Sequence, residues 1–249
     1  MKTILITGCS SGFGLETARY FLEHEWRVIA TMRTPREELL PRSENLRILA
    51  LDVTNPESIR QAIDAAGPID VLVNNAGIGA LGALEGTSMT TAREVFETNT
   101  LATMAMTQAV LSQFRQRKAG VIVNVTSSVT LKPFPLLSVY SASKAAVNAF
   151  TESLALELRP FNVRVHLVLP GRAPETRFGD NARPRMQGAI PEAYADLAQS
   201  VFAEWGQSSV VTRAQDVAEA VWRAANDPSC PLRLVAGADA MALAEGQIP

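Results

Sequence analysis

From its first residues the chain alternates short apolar runs with segments of helical period, and this alternation constrains the fold more than any other feature. Ile4-Leu-Ile-Thr7 is a short buried strand. Residues 13–24 read as a helix, Arg27-Val-Ile-Ala-Thr31 as a second strand and Leu46-Arg-Ile-Leu-Ala-Leu51 as a third. Asn55 caps a helix that begins at Pro56, where a missing N–H is harmless, and Gly67 ends it. Ile69–Val73 is a fourth strand, and a long helix is expected over about 90–118, closed by Gly120. Val121–Val125 and Val163–Leu169 are further strands, with a helix at about 139–158 between them. Thr212-Arg-Ala-Gln215 has the spacing of a capping box opening the helix before Asn226, and Leu232–Val235 reads as a last strand. Unbroken apolar strands separated by helices mean a parallel sheet covered on both faces. The fold class is therefore α/β, a doubly wound parallel sheet in a single domain over residues 1–249, with no repeat and no linker. The one irregular stretch holds Pro170, Pro174, Pro184 and Pro191 with Gly171, Gly179 and Gly188. A break of that length inside a compact domain is usually functional. It reads as a lid, at about 170–205.

Composition narrows the function classes. With 47% hydrophobic residues in 249, a continuous core is assured and disorder is not the dominant state. A formal charge of −2 gives no electrostatic case for nucleic acid or an anionic membrane surface. Two Cys and two His (Cys9, Cys230, His24, His166) exclude a disulfide scaffold and a Cys/His zinc site, so no metal is expected. Without a long apolar run or a signal-like N-terminus, the expectation is a cytoplasmic protein.

Two places carry chemistry. Thr7-Gly8-Cys9-Ser10-Ser11-Gly12-Phe13-Gly14 lies between the first strand and the first helix. Small residues there let the backbone approach a diphosphate, and the helix N-terminus supplies free N–H donors. Cys9 reads as a small neutral filler of this turn. Farther on, Tyr140 and Lys144 are four residues apart on one helix face. An ammonium beside a phenol favours the phenolate, which makes Tyr140 a candidate acid/base toward a hydroxyl or carbonyl. Ser127 and Ser128 end the fifth strand, where parallel sheets place their ligands, and spacing alone does not choose between them.

Taken in order, these motifs resemble the short-chain dehydrogenase/reductase family, in its branch of roughly 250 residues. The matching elements are the Thr7–Gly14 loop, Asp52-Val53, Asn74-Asn75-Ala76-Gly77, Asn99, Ser127, Tyr140-Ser-Ala-Ser-Lys144 and Pro170-Gly171. The resemblance implies a Rossmann-type sheet and a nicotinamide cofactor. It makes Tyr140 the general acid of reduction and base of oxidation, and Lys144 the group that lowers its pKa and holds the nicotinamide ribose. It makes Ser127, thirteen residues before Tyr140, the polarising hydroxyl, and gives Asn99 a proton-relaying water. Gly8, Ser10, Ser11, Gly12, Phe13 and Gly14 would cradle the diphosphate. Asp52 and Val53 would meet the adenine, with Asn75, Ala76 and Gly77 on the adenosine ribose side and Pro170 and Gly171 against the nicotinamide. The family's Thr five residues after that proline is displaced here, since position 175 is Glu and Thr176 follows. Family members that prefer NAD have an acid at the end of strand two, where this chain has Met32 followed by Arg33. An Arg at that place meets a 2′-phosphate, so NADP(H) is the preferred cofactor, with NAD(H) the alternative.

Apolar Phe134, Leu136, Leu137, Phe178, Met186, Ile190 and Tyr194 suit a small-molecule ketone or secondary alcohol. Lid arginines 172, 177, 183 and 185, set against Glu175 and Asp180, keep a 3-oxoacyl thioester reductase open as an alternative. A non-catalytic NADP-sensing protein is the third reading, opposed by the complete Asn99, Ser127, Tyr140 and Lys144 set. The resemblance also implies a homodimer or homotetramer joined through the helices at about 90–118 and 139–158. Met104, Met106, Val110, Ala145, Ala149 and Phe150 offer apolar surface there.

Overall fold

The computed structural model describes residues 1–207 and 209–246. Its strands are β1 (Thr3–Ile6), β2 (Arg27–Met32), β3 (Leu46–Ala50), β4 (Val71–Asn74), β5 (Gly120–Val125), β6 (Val163–Pro170) and β7 (Arg233–Ala236). All pair in parallel, in the order β3-β2-β1-β4-β5-β6-β7. The order reverses between β1 and β4, and the crevice beyond the strand ends at such a reversal is where open α/β sheets bind ligands.

The pleat explains the two layers. Along β1, Ile4 and Ile6 face one core and Leu5 the other. The first core is closed by α1 (Gly12–Glu23) and α8 (Ala214–Asn226), through Ala18, Phe21, Val217 and Val221. The second is closed by α2 (Pro56–Ala66), α4 (Ala102–Arg117) and α5 (Ser138–Leu158), through Ile59, Met106, Val110, Phe114 and Leu154. The α2 start is as the sequence suggests: Asn55 Oδ1 accepts from the N–H groups of Glu57 (2.9 Å) and Ser58 (3.1 Å), with Pro56 in the first turn.

Five local expectations change. The helix expected over 90–118 is three pieces: α3 (Met89–Phe96), a π-helical turn at Glu97–Leu101, and α4. α4 ends at Lys118 in the left-handed conformation, and Gly120 opens β5, where a side chain would run into the Phe114 ring. Thr212 does not cap α8; Asp216 accepts from the Arg213 N–H at 2.8 Å instead. The stretch after β6 is not irregular throughout, since it forms α6 (Phe178–Met186) and α7 (Ala195–Gln207). Met106 and Val110 also lie inside the sheet core, so only Met104, Ala145, Ala149 and Phe150 of the residues offered for assembly face outward in part or fully.

Candidate active site

The site gathers at the carboxyl ends of β1, β4, β5 and β6, and the chain holds those loops together with its own side chains. Thr7 follows β1 directly, and its Oγ1 accepts from the N–H groups of Asn75 (3.0 Å) and Ala76 (2.9 Å). Asn75 Nδ2 donates to the Thr7 carbonyl at 2.9 Å. The loop after β4 is thus locked onto the glycine loop. Gly14 is required here, because a side chain would collide with the Gly8 carbonyl at 2.6 Å. Gly12 has φ +58°, open to glycine at no steric expense. Cys9 is fully buried and its thiol donates to the Ile6 carbonyl; burial pushes its pKa up to about 12, so it is an inert filler.

A nicotinamide dinucleotide fits this cradle on the evidence of α1 itself. Ser11 stands at the N-cap without a side-chain hydrogen bond, and no acidic residue occupies the first turn. The first N–H groups of a helix have no partner within it, and here neither the cap side chain nor an acid of the first turn takes them, which suits a diphosphate. Beside it, Arg36 Nη2 donates to the Ser10 carbonyl at 2.9 Å, and Arg33 is exposed at the end of β2. Asp52 is held below the usual carboxylate range, first by the Thr54 hydroxyl and N–H and to a lesser degree by Arg33. Met32 is packed into the core, and Val53 packs under the sheet edge.

Tyr140, Lys144 and Ser127 come together as expected. Ser127 Oγ hydrogen-bonds the Tyr140 hydroxyl, which separates it from Ser128. Burial nevertheless pushes the Tyr140 phenol up to about 12, the Ser127 bond opposing only in part. Lys144 is buried, and burial pushes its ammonium down to about 8. Its Nζ donates to the Val125 carbonyl at 3.0 Å.

Asn99 sits in the π turn, and its side chain is fully engaged. Oδ1 accepts from the Ile78 N–H (2.8 Å), while Nδ2 donates to the Ile78 carbonyl (2.9 Å) and to Ser143 Oγ (3.1 Å). It clamps the loop after β4 to α5 at Ser143, the residue just before Lys144. Gly77 lies against both, since a side chain there would meet Asn99 Oδ1 at 3.2 Å and Lys144 Nζ at 3.4 Å.

The segment after β6 closes over this group. The Phe178 ring lies 5.7 Å from that of Tyr140, tilted by 60°. Thr176 rests on the glycine loop: a Cβ on Gly12 would meet its Cβ at 3.3 Å. Despite its shifted position, this threonine reaches the cradle. α7 contributes Ala198 and Val201 to an apolar cluster with Leu81, Ala83 and Leu136, joined by Met186, Ile190 and Tyr194. Two arginines of this segment are engaged with acids, Arg183 with Asp180 at 3.3 Å and Arg185 with Glu94. One residue that the sequence did not point to, Asp239, also stands here. Gly171 N donates to Thr212 Oγ1 (2.9 Å) and Arg172 N to Asp239 (2.6 Å), fixing the turn after Pro170. Among the described residues, no helix is long and apolar enough to cross a membrane, and no group of His, Cys, Asp and Glu stands ready to hold a metal ion.

The chain matches the family model for short chain dehydrogenase over residues 2–187. It is 36% identical to retinol dehydrogenase 8 of Bos taurus, over 93% of this chain and 80% of that one. It is 41% identical to 3-ketodihydrosphingosine reductase of Bacteroides thetaiotaomicron, over 78% and 72%. A short-chain dehydrogenase/reductase of Burkholderia phymatum, solved in complex with NAD, superposes with TM-score 0.82 at 26% identity, over 98% of this chain and 92% of that one. One of Burkholderia cenocepacia, solved with NADP, gives 0.79 at 27%, over 99% and 94%. The chain belongs to the short-chain dehydrogenase/reductase family and is an oxidoreductase that works with a nicotinamide dinucleotide.

Proposed function

We propose that the protein interconverts an apolar ketone and its secondary alcohol, with NADP(H) as preferred cofactor and Tyr140 as general acid/base. The observation that carries this reading is the Ser127–Tyr140 hydrogen bond at the end of β5, with the Lys144 ammonium buried alongside. When bound, the cofactor supplies or accepts the hydride. The remaining chemistry belongs to the chain. Ser127 Oγ orients the phenol and shares the substrate oxygen with it. Tyr140 Oη, which holds its proton well above neutral pH, gives that proton to the carbonyl oxygen in reduction. Asn99 fixes the loop after β4 against α5, and Lys144, anchored on Val125, would hold a ribose hydroxyl of the cofactor.

The cofactor residues are those of the glycine cradle (Gly8, Ser10, Ser11, Gly12, Phe13, Gly14), with Asp52, Val53, Asn75, Ala76 and Gly77 along the adenosine and Pro170 and Gly171 behind the nicotinamide. Arg33, exposed at the end of β2, and Arg36 beside the glycine loop would meet a 2′-phosphate, which supports NADP(H). Residues of about 170–205 act as the lid. An apolar substrate is supported by the cluster of Leu81, Leu136, Met186 and Ile190, and by the engagement of Arg183 and Arg185 with acids, which leaves less cationic surface for an anionic carrier. The name of one relative, 3-ketodihydrosphingosine reductase, points to a ketone and agrees with this class. A dimer or tetramer through α4 and α5 is part of the same proposal. The test is a turnover panel of long-chain ketones, steroids and 3-oxoacyl thioesters with NADPH and with NADH. Highest kcat/KM on an uncharged apolar ketone with NADPH is expected, and a thioester preferred over every ketone overturns the substrate class.

A further inference from the structure

The chain leaves the sheet at Gly171 and comes back beside the same point at Thr212, with α6 and α7 in between. Four hydrogen bonds draw the two ends into one knot. Thr212 N donates to the Arg172 carbonyl (2.8 Å), and Gly171 N donates to Thr212 Oγ1 (2.9 Å). Arg172 N donates to one Asp239 oxygen (2.6 Å), and the Thr212 hydroxyl lies 2.6 Å from the other. That hydroxyl has a single proton and also stands 3.0 Å from the Ala236 carbonyl; the carboxylate is the nearer and the charged acceptor. Two glycines allow the closure. A side chain on Gly171 would occupy the Asp239 carboxylate, and one on Gly237, at φ +97°, would occupy the Thr212 side chain. Thr212 itself is buried.

We infer that Asp239, on the last helix α9 (Ala238–Ala244), is a positioning residue that pins both feet of the 171–212 excursion and thereby fixes the lid and the Pro170–Gly171 turn. A carboxylate suits this task because it offers two acceptor oxygens and no donor, and here each oxygen serves a different foot. An amide offers one oxygen, so its NH2 must face one of the two donors. The effect on cofactor rests on the proposed seat of the nicotinamide against Pro170 and Gly171, whereas the pin does not.

Hydrogen–deuterium exchange on the whole protein without cofactor reads the pin, and calorimetric titration with NADPH reads the turn. In Asp239→Ala, exchange over 171–190 should rise at least about ten-fold while β1, β4 and β5 keep their protection, the scale of losing charge-assisted bonds. NADPH affinity should fall by about the same factor. Asp239→Asn, which keeps one oxygen and the side-chain volume, should lie between, and Thr212→Ser, which keeps the hydroxyl, should match the wild type. Should the alanine variant not fold, the asparagine and serine variants decide. Unchanged exchange in the lid overturns the inference, and so does a rise spread evenly over lid and sheet, or local loosening with NADPH affinity intact. A wild-type protein that binds neither NADPH nor NADH defeats the cofactor reading instead, and the exchange arm then decides the pin alone.

Discussion

Tyr140 holds its proton tightly before any ligand arrives, because its buried phenol is pushed up to about 12. A neutral acid suits the reductive direction, and the Ser127 hydroxyl keeps it aimed. Tyr140→Phe removes the transferable proton and keeps the ring packed against Phe178, so cofactor affinity should stay near wild type. Turnover should fall about 10²–10⁴-fold. A variant retaining more than about a tenth of wild-type kcat in a chemistry-limited assay would remove Tyr140 from the acid's role. Cofactor choice is a second single-residue matter. Arg33→Ala should weaken NADPH about ten-fold and leave NADH nearly unchanged, the low end for a charge-assisted bond because Arg33 is exposed. Arg36, tied to the Ser10 carbonyl, should add to the loss when replaced together with Arg33. The check is kcat/KM with both cofactors at fixed low salt; equal losses with NADPH and NADH would mean that Arg33 does not read the phosphate. The structure argues against placing an acid at Met32, since its side chain is core and a carboxylate there would be buried. Spacing alone exposed Tyr140 and Lys144, because i,i+4 residues share a helix face whatever the rest of the fold does. It could not expose Asp239, which meets Thr212 only through tertiary closure, nor the sign of the Tyr140 shift, which burial decides.

The strands and most helices were legible because each rests on a local signal: apolar runs of four to eight residues, an Asn-Pro start, a glycine stop. The departures have tertiary causes. The helix expected over 90–118 breaks into a π turn where Asn99 bonds Ile78 and Ser143, contacts no window of sequence contains. Proline and glycine made the stretch after β6 look irregular, yet α6 accommodates Pro184 and α7 is held by Ala198 and Val201 packing on Leu81 and Leu136. Within α5, burial of Lys144 gives a pH signature. Its folded pKa of about 8 lies below the ordinary 10.5, so between these values the unfolded chain binds a proton that the folded chain does not. Stability therefore rises with pH across that window. Tyr140 and Cys9 act oppositely at higher pH, because the folded chain keeps protons that the unfolded chain releases. Comparing wild type with Lys144→Met isolates the first effect. Between pH 7.5 and 9.5 the wild type should gain on the order of 1–2 kcal/mol over the variant in urea unfolding. A difference that stays flat over this range would mean that Lys144 remains charged in the folded protein.

Assembly is where the covered and uncovered faces of the same helices must be told apart. Met106, Val110 and Phe114 of α4 and Leu154 and Leu158 of α5 are committed to the sheet. The opposite face of α5 carries Ala142, Ala145 and Ala149, all exposed, and Leu156 at 65% exposure, while Leu101 at the start of α4 is 50% exposed. Small residues allow close approach of a second helix, and α5, with 21 residues, is about 31 Å long. Two copies packing α4 and α5 against α4 and α5 would meet over an area of the class that stable dimers use, about 1,200–2,000 Å² in total. Such a contact is self-complementary, so one substitution acts twice. Ala149→Arg would set two guanidiniums against each other at its centre, whereas in a monomer the same arginine would stand in water and leave the fold unchanged. Light scattering at micromolar concentration should therefore give twice or four times the 26.8 kDa chain mass for the wild type, and half the wild-type mass for Ala149→Arg, with equal thermal stability of the protomer fold in dilute solution. A wild-type mass of one chain, or an Ala149→Arg variant that assembles as the wild type does, would place the interface elsewhere or remove it.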